Sequence, residues 1–316
     1  MHVLVTGGAG FIGSHVILEL LKRGDTVVNV DNINEYYDPS LKRARMNRFE
    51  GKVPHYQIDI ADKDALEEVF KEHMFDAVCH LAAQAGVRYS IQNPFIYAQT
   101  NYIGTLNILE FSKKYKVPHV VMASTSSVCG KNEKMQFSED DRVDTPISIY
   151  SASKRAGELL AHSYNHLFGL NITILRFFTV YGPWGRPDMA LFLFTKAILN
   201  DEPIKVFNHG NMKRDFTYID DTVPGVVRAI HRGPNGFEIF HLGSGKVVPL
   251  MEYIHTIEKT LGKQARMDFL PMQDGDVAET CADIVKAKKE LGYDPKTGVE
   301  VGVPKFIEWY LEYHKD

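Results

Sequence analysis

Cysteine is scarce in this chain of 316 residues: there are three, Cys79, Cys129 and Cys281. They stand far apart and form no CxxC pair, which argues against a disulfide framework or a zinc site and makes a reducing cytoplasm the expected location. No apolar run is long enough to span a bilayer, so no membrane partner is expected. Basic blocks are lacking too. The net charge is -4, and duplex binding needs a clustered Lys/Arg footprint, so nucleic acid is not an expected partner. The densest basic run, "KRAR" at Lys42 to Arg45, reads as a solvated face. The first residues show neither a basic n-region nor a cleavage site, so no signal peptide is expected. Fixed-period repeats, low-complexity tracts and long linkers are absent. What remains is an ordinary globular composition, 44% hydrophobic and 24% charged, with length for one large domain or two modest ones.

Strand-like and helix-like segments alternate from the start. "HVLVT", "TVVNV", "HYQID", "FDAVCHLA", "HVVMAS" and "NITILRF" read as strands. Between them lie apolar-periodic helix patterns, including a long one from about Pro94 to Tyr115 and another from about Tyr150 to Phe168. Six strands separated by helices imply a doubly wound, parallel α/β sheet of the Rossmann type. After about Thr179 the rhythm changes, with helices expected near 188–200, 249–261 and 298–315. Residues 1–179 are thus expected to form one domain, to which a segment near 215–243 returns. Residues 180–316 are expected to form a smaller substrate-binding region, with a cleft between the two.

Two motifs carry chemistry. "GGAGFIG" places Gly7, Gly10 and Gly13 between a strand and a helix, where glycines let the backbone approach a pyrophosphate and the helix N-terminus offers N–H groups. Asp31 closes the next strand, positioned to bond the adenosine ribose hydroxyls. Asn32 follows rather than Arg, which favours NAD over NADP. Asp59 ends the third strand, beside the expected adenine. The second motif is "YSASK". Tyr150 and Lys154, four apart on a helix, share one face. A tyrosine with a pKa of about 10 is a poor base at neutral pH. A neighbouring ammonium, and the positive nicotinamide of NAD+, would favour its phenolate. Pairs of this spacing also arise on surface helices, so the pair alone does not decide. "ASTSSVCG" adds hydroxyls at Ser124, Thr125, Ser126 and Ser127. His162 and His166 also stand four apart, but no third ligand accompanies them and no metal is expected.

"VTGGAGFIGSH", "HLAAQAGVRYS", "ASTSSVCG", "YSASKRAGE", "LRFFTVYGPWGRPDMA", "RDFTYIDD" and "DGDVAETCADI" resemble, in order, the motifs of the extended short-chain dehydrogenase/reductase family. More narrowly, they resemble its nucleotide-sugar 4-epimerases, nearly end to end. The resemblance implies that Tyr150 is the base, that Lys154 is its partner and binds the nicotinamide ribose, and that Thr125 bonds the sugar 4-hydroxyl. It implies an NAD site that also includes Phe11, Ile12, Ile60, Leu81, Ala82, Ala83, Gln84 and Asn101. It places Phe207 on uracil, Arg214 on the diphosphate and Asp276 near the nucleotide, with Met189 beside the sugar. It implies a homodimer built on the helices at about 94–115 and 150–168. Dehydratase relatives carry an Asp-Glu pair after the Thr; here Ser126 and Ser127 stand there, which disfavours elimination. Decarboxylating relatives carry an acidic residue that is likewise absent. Within the epimerases, UDP-glucuronate is the sugar most resembled, with Ser126, Ser127, Thr179 and Arg186 or Arg88 available to a carboxylate. UDP-N-acetylglucosamine or UDP-glucose stays open, as do an NAD sensor and a net oxidoreductase of the same fold. Cys129 departs from the usual Tyr and is expected to alter packing only.

Overall fold

The computed structural model describes residues 1–130 and 136–315. Its centre is a seven-stranded sheet: β1 (His2–Thr6), β2 (Thr26–Val30), β3 (His55–Tyr56), β4 (Ala77–His80), β5 (Val120–Thr125), β6 (Ile172–Phe177) and β7 (Phe237–Leu242). The order is β7-β6-β5-β4-β1-β2-β3, and every pairing is parallel. Six strands were expected from the pattern. The seventh, Phe237–Leu242, extends the sheet along β6, in register from Phe237 opposite Ile172 to Leu242 opposite Phe177. β3 is shorter than "HYQID" suggested. It pairs with β2 through only two residues, and Asp59 lies beyond it.

Parallel strands covered on both faces read as continuous apolar runs, and β1, β5 and β6 do so. One side chain set, including Val3, Val5 and Val121, packs into a core that runs on to Tyr253, Phe306 and Trp309. The opposite faces, through Leu4, Val28, Val78 and Val120, pack on Leu66, Ile108 and Leu109. The later helices Ala190–Leu199, Leu250–Leu261 and Val299–Tyr313 fall close to the expected ranges. No helix among the described residues is long and apolar enough to cross a membrane.

The long helix expected at 94–115 is interrupted. Pro94–Tyr97 is α-helical, Ala98–Gly104 is a π-helical stretch, and Thr105–Lys114 is α-helical again. Periodicity cannot reveal such a local widening, which often marks a functional region. The strand order reverses between β1 and β4. In such sheets the crevice outside the carboxyl ends at this switch point receives the ligand. The carboxyl ends of β1, β4 and β5 therefore bring Gly7, Leu81 and Thr125 to one place.

Candidate active site

A cleft of about 260 Å³ opens at that switch point. At one end stands the glycine turn. Gly7 has φ +79°, and a Cβ there would lie 2.7 Å from Ala82 N; a Cβ on Gly13 would lie 2.2 Å from Gly7 O. Only glycine lets this loop fold so tightly. The helix Phe11–Lys22 starts directly at the turn, and no side chain among the described residues caps it. Its first N–H groups therefore point to the cleft as an anion seat. The Asp31 carboxylate is held by the N–H groups of Ala9 (3.0 Å) and Ile33 (2.8 Å). Asn32 Nδ2 donates to Asp59 Oδ2 at 2.8 Å. Phe11, Ile12, Ile60, Leu81, Ala82, Ala83 and Gln84 complete this wall. These groups fit a dinucleotide: a pyrophosphate seat, a ribose acceptor and a slot beyond it.

The reactive end is fixed by two helices and two strand ends. A capping box starts the Tyr150 helix, Ile149–Phe168: Ser148 Oγ accepts from Ser151 N and Ser151 Oγ from Ser148 N, both at 3.1 Å. Tyr150 and Lys154 both line the cleft, with Thr125 beside them. Thr125 acts on the Tyr150 phenol in the sense that favours its phenolate. Asn101 does not line the cleft. It braces it, with Nδ2 donating to Gln84 O and Ser153 Oγ (both 2.9 Å) and Oδ1 accepting from Gln84 N (2.8 Å). The sequence led us to expect Lys154 to draw the phenol downward. Instead burial dominates: it raises Tyr150 above its ordinary range, against the opposing pull of Thr125 and Arg186. Burial likewise lowers Lys154 to about 8, although Glu158 resists it.

Beneath this pair lies a buried charge network. Glu158 accepts from Ser124 Oγ (2.6 Å) and takes Arg176 in bidentate fashion (2.9 and 2.9 Å). The network ties β5, which carries Thr125, to the Tyr150 helix. Cys129 is buried behind it as a free thiol, pushed up to about 12 by burial.

The remaining candidates divide into two groups. Arg186 and Met189 line the cleft. Arg186 is paired bidentately with Asp188 (3.0 and 2.5 Å), whose Oδ2 also accepts from Tyr36 OH at 3.0 Å. Thr179 lines a small adjoining pocket of about 30 Å³. Ser126 and Ser127 form the short turn after Thr125, where Ser127 N donates to Thr125 Oγ1 at 3.2 Å. Farther out, Arg88 is exposed and lies over the Phe207 ring, 4.8 Å from its centroid. Arg214 donates to the Ala278 carbonyl at 3.1 Å and stands 3.9 Å from Asp276. None of Arg88, Phe207, Arg214 and Asp276 lines the main cleft.

A family model described as the NAD dependent epimerase/dehydratase family matches residues 3–243. The chain belongs to this family. A UDP-glucuronate 4-epimerase of Arabidopsis thaliana is 48% identical over 330 residues, spanning 99% of this chain and 76% of the relative. Among solved structures, a UDP-glucuronic acid 4-epimerase from Bacillus cereus, in complex with UDP-glucuronic acid and NAD, superimposes with a TM-score of 0.94 at 36% identity. It covers 99% of this chain and 100% of that one. A UDP-glucose 4-epimerase from Thermotoga maritima, with UDP-glucose, gives a TM-score of 0.91 at 33% identity and full coverage of both chains.

One reading of the epimerase sequence needs correcting. The "KRAR" run is not a solvated face: only Arg43 is exposed, while Lys42 and Arg45 are buried. Lys42 Nζ donates to Asn34 O and Oδ1, both at 2.6 Å, at the cleft wall. Burial lowers it to about 8, with Asp31 resisting. Arg45 donates to the Trp184, Gly185 and Ala9 carbonyls and to Tyr37 OH. Such burial is tolerated because nearly every donor is matched. Trp184 and Gly185 lie 139 and 140 residues from Arg45, so the local pattern could not show that clamp. Arg88, offered with Arg186 for the sugar carboxylate, lies over Phe207. Asn34, Tyr36, Tyr37 and Asp188 were missed. Asp188 carried a signal, since Arg-x-Asp on a turn is poised for a short-range pair.

Proposed function

We propose that this chain inverts C4 of a UDP-sugar, with UDP-glucuronate and UDP-galacturonate as the exchanging pair. The observation that carries the reading is the convergence of Thr125, Tyr150 and Lys154 on a cleft whose far wall is the Gly7–Gly13 turn and Asp31. NAD+, when bound, supplies the acceptor for the C4 hydride and gives that hydride back. The chain's own residues do the rest. Tyr150 takes the 4-hydroxyl proton and later returns it, and Thr125 orients that oxygen. The phenol is raised in the free protein, so its ionisation waits on the positive charge of the oxidised cofactor and on Lys154. Asn101 and Gln84 hold the loop beside them. Phe207 stacks on uracil, and Arg214 meets the diphosphate with Asp276 nearby.

The hydroxyls of Ser126, Ser127 and Thr179 receive the 6-carboxylate, because Arg186 already has a carboxylate partner in Asp188. Holding that group protects the 4-keto uronic acid from losing CO2. The same pairing occupies Arg186, which favours a second reading with an uncharged sugar, UDP-N-acetylglucosamine or UDP-glucose. On either reading residues 1–179 with 215–243 serve the dinucleotide and 180–316 mainly the UDP-sugar. A homodimer through the Pro94–Lys114 and Ile149–Phe168 segments is supported by exposed Phe95, Leu159, Leu167 and Phe168. Three free thiols suit a cytoplasmic location. The test is separate incubation with UDP-glucuronate, UDP-N-acetylglucosamine and UDP-glucose in the presence of NAD+, with products resolved by NMR. Formation of UDP-galacturonate without UDP-pentose is expected. Turnover of the uncharged sugars alone would overturn the uronate reading.

A further inference from the structure

The Arg186–Asp188 pair has no role in the steps above, yet Arg186 lines the same cleft as Tyr150. Its geometry is complete on one side. Asp188 occupies both Nε and Nη2 of Arg186, and Tyr36 OH caps the same carboxylate. Tyr36 belongs to the segment after β2, so the cap comes from the dinucleotide side of the cleft. Arg45, clamped on the Trp184 and Gly185 carbonyls, holds the chain immediately before Arg186. The guanidinium is therefore fixed from two directions, and little freedom remains for it to swing.

We propose that Asp188 is a positioning residue for the base. Clamped to Arg186 and capped by Tyr36, it holds the guanidinium against the wall and offsets its charge, so that Tyr150 faces a neutral pair and not a free cation. The proposal rests on the reading of Tyr150 as the base. The groups that face the phenol are few. Lys154 stands on its own helix, Thr125 comes from the end of β5, and Tyr97 from the helix Pro94–Tyr97, its ring 6.1 Å away. Arg186 and Asp188 come from the turn before the helix Ala190–Leu199. After burial and Thr125, Arg186 and Asp188 act on the phenol in opposite senses, the first favouring the phenolate and the second opposing it. Burial works against both members of the pair, and their mutual attraction outweighs it, so each stays charged. Tyr36, raised to about 12 by burial and by Asp188, remains a donor.

The sign of each perturbation follows. Asp188→Asn keeps the shape but leaves Arg186 unopposed, which stabilises the phenolate. Arg186→Gln leaves Asp188 unopposed, which destabilises it. The double variant restores a neutral wall. Two readouts are needed. The first is the acid limb of kcat against pH for whichever UDP-sugar the wild type turns over. The second needs no substrate: phenolate absorbance near 295 nm is titrated in each variant and its Tyr150→Phe counterpart, and the difference is assigned to Tyr150. Asp188→Asn is expected to move both midpoints down by roughly one pH unit, the low end for a neighbouring charge. Arg186→Gln is expected to move them up. Arg186→Gln/Asp188→Asn is expected to bring them back close to wild type, as a double-mutant cycle of two opposing charges requires. Circular dichroism and Tm check that each variant folds. Midpoints in Asp188→Asn unchanged from wild type would overturn the proposal. So would a double variant shifted as far as either single one. Should no UDP-sugar be turned over, the titration still decides the question, and the loss falls on the proposed function alone.

Discussion

Alanine at Gly13 and alanine at Gly157 should have opposite effects, although both glycines lie within α-helices. Helix propensity alone favours Ala at either position by about 1 kcal/mol. Space decides otherwise at Gly13. A Cβ there would lie 2.2 Å from Gly7 O and 2.9 Å from Gly7 C and Gly8 Cα. That is roughly 1 Å inside ordinary contact, and the obstacle is backbone, which cannot rotate away. Overpacking of this kind costs about 1–3 kcal/mol or more. Once propensity is credited the net loss is about 0–2 kcal/mol or more, and 2 kcal/mol is a fall in Tm of about 3 °C for 316 residues. At Gly157 the nearest atoms are Met122 Cε at 3.6 Å and Thr105 Cγ2 at 3.8 Å, ordinary distances. Ala is expected to stabilise there by about 0.4–1 kcal/mol. The assay is thermal and urea unfolding of both variants, alone and with NAD+. Gly13→Ala should also weaken NAD+ binding by about tenfold or more, equivalent to about 1.4 kcal/mol, because the displaced loop is the pyrophosphate seat. A Gly13→Ala protein with wild-type Tm and wild-type NAD+ affinity would refute the reasoning.

Three further predictions concern the charges around the site. Tyr150→Phe should abolish turnover yet retain NAD+, read by activity and by cofactor content after gel filtration; near-wild-type turnover would sink its role as base. Glu158→Gln strands the buried Arg176 guanidinium, 1% exposed, and should cost about 3–5 kcal/mol in urea unfolding, whereas Ser124→Ala, which spares the ion pair, should cost about 1 kcal/mol. Stability should decline on acidification. Burial lowers His80 to about 3, and it lowers His119 and His241 to about 4. Unfolded, these histidines bind protons from about pH 6.5 downward; folded, they resist until their lowered values. The unfolded state therefore gains protons between about pH 6.5 and 4, and stability drops by roughly 1 kcal/mol per histidine per pH unit there. A Tm unchanged between pH 7.5 and 5.5 would contradict this.

Much of the site could be read from the chain because its determinants are local. The Gly7–Gly13 turn sits between an apolar strand and a periodic helix, and Tyr150 and Lys154 are set by one helical turn. What escaped the reading is set by distant partners. Arg45 looks like part of a polar helix face until Trp184 and Gly185 are brought against it. β7 joins the sheet only because β6 offers an edge to "FEIFHL". The π-helical stretch that carries Asn101 leaves no mark in residue spacing. The raised phenol of Tyr150 arises from enclosure, which no motif reports.

The central claim is that one hydride leaves C4 and returns to C4 of the same sugar. It is tested most directly by incubating UDP-glucuronate deuterated at C4 with the enzyme and NAD+ in ordinary water. Proton NMR should find deuterium fully retained at C4 of both epimers at equilibrium. Loss of the label to solvent, or stoichiometric accumulation of NADH with a 4-keto product, would contradict the account.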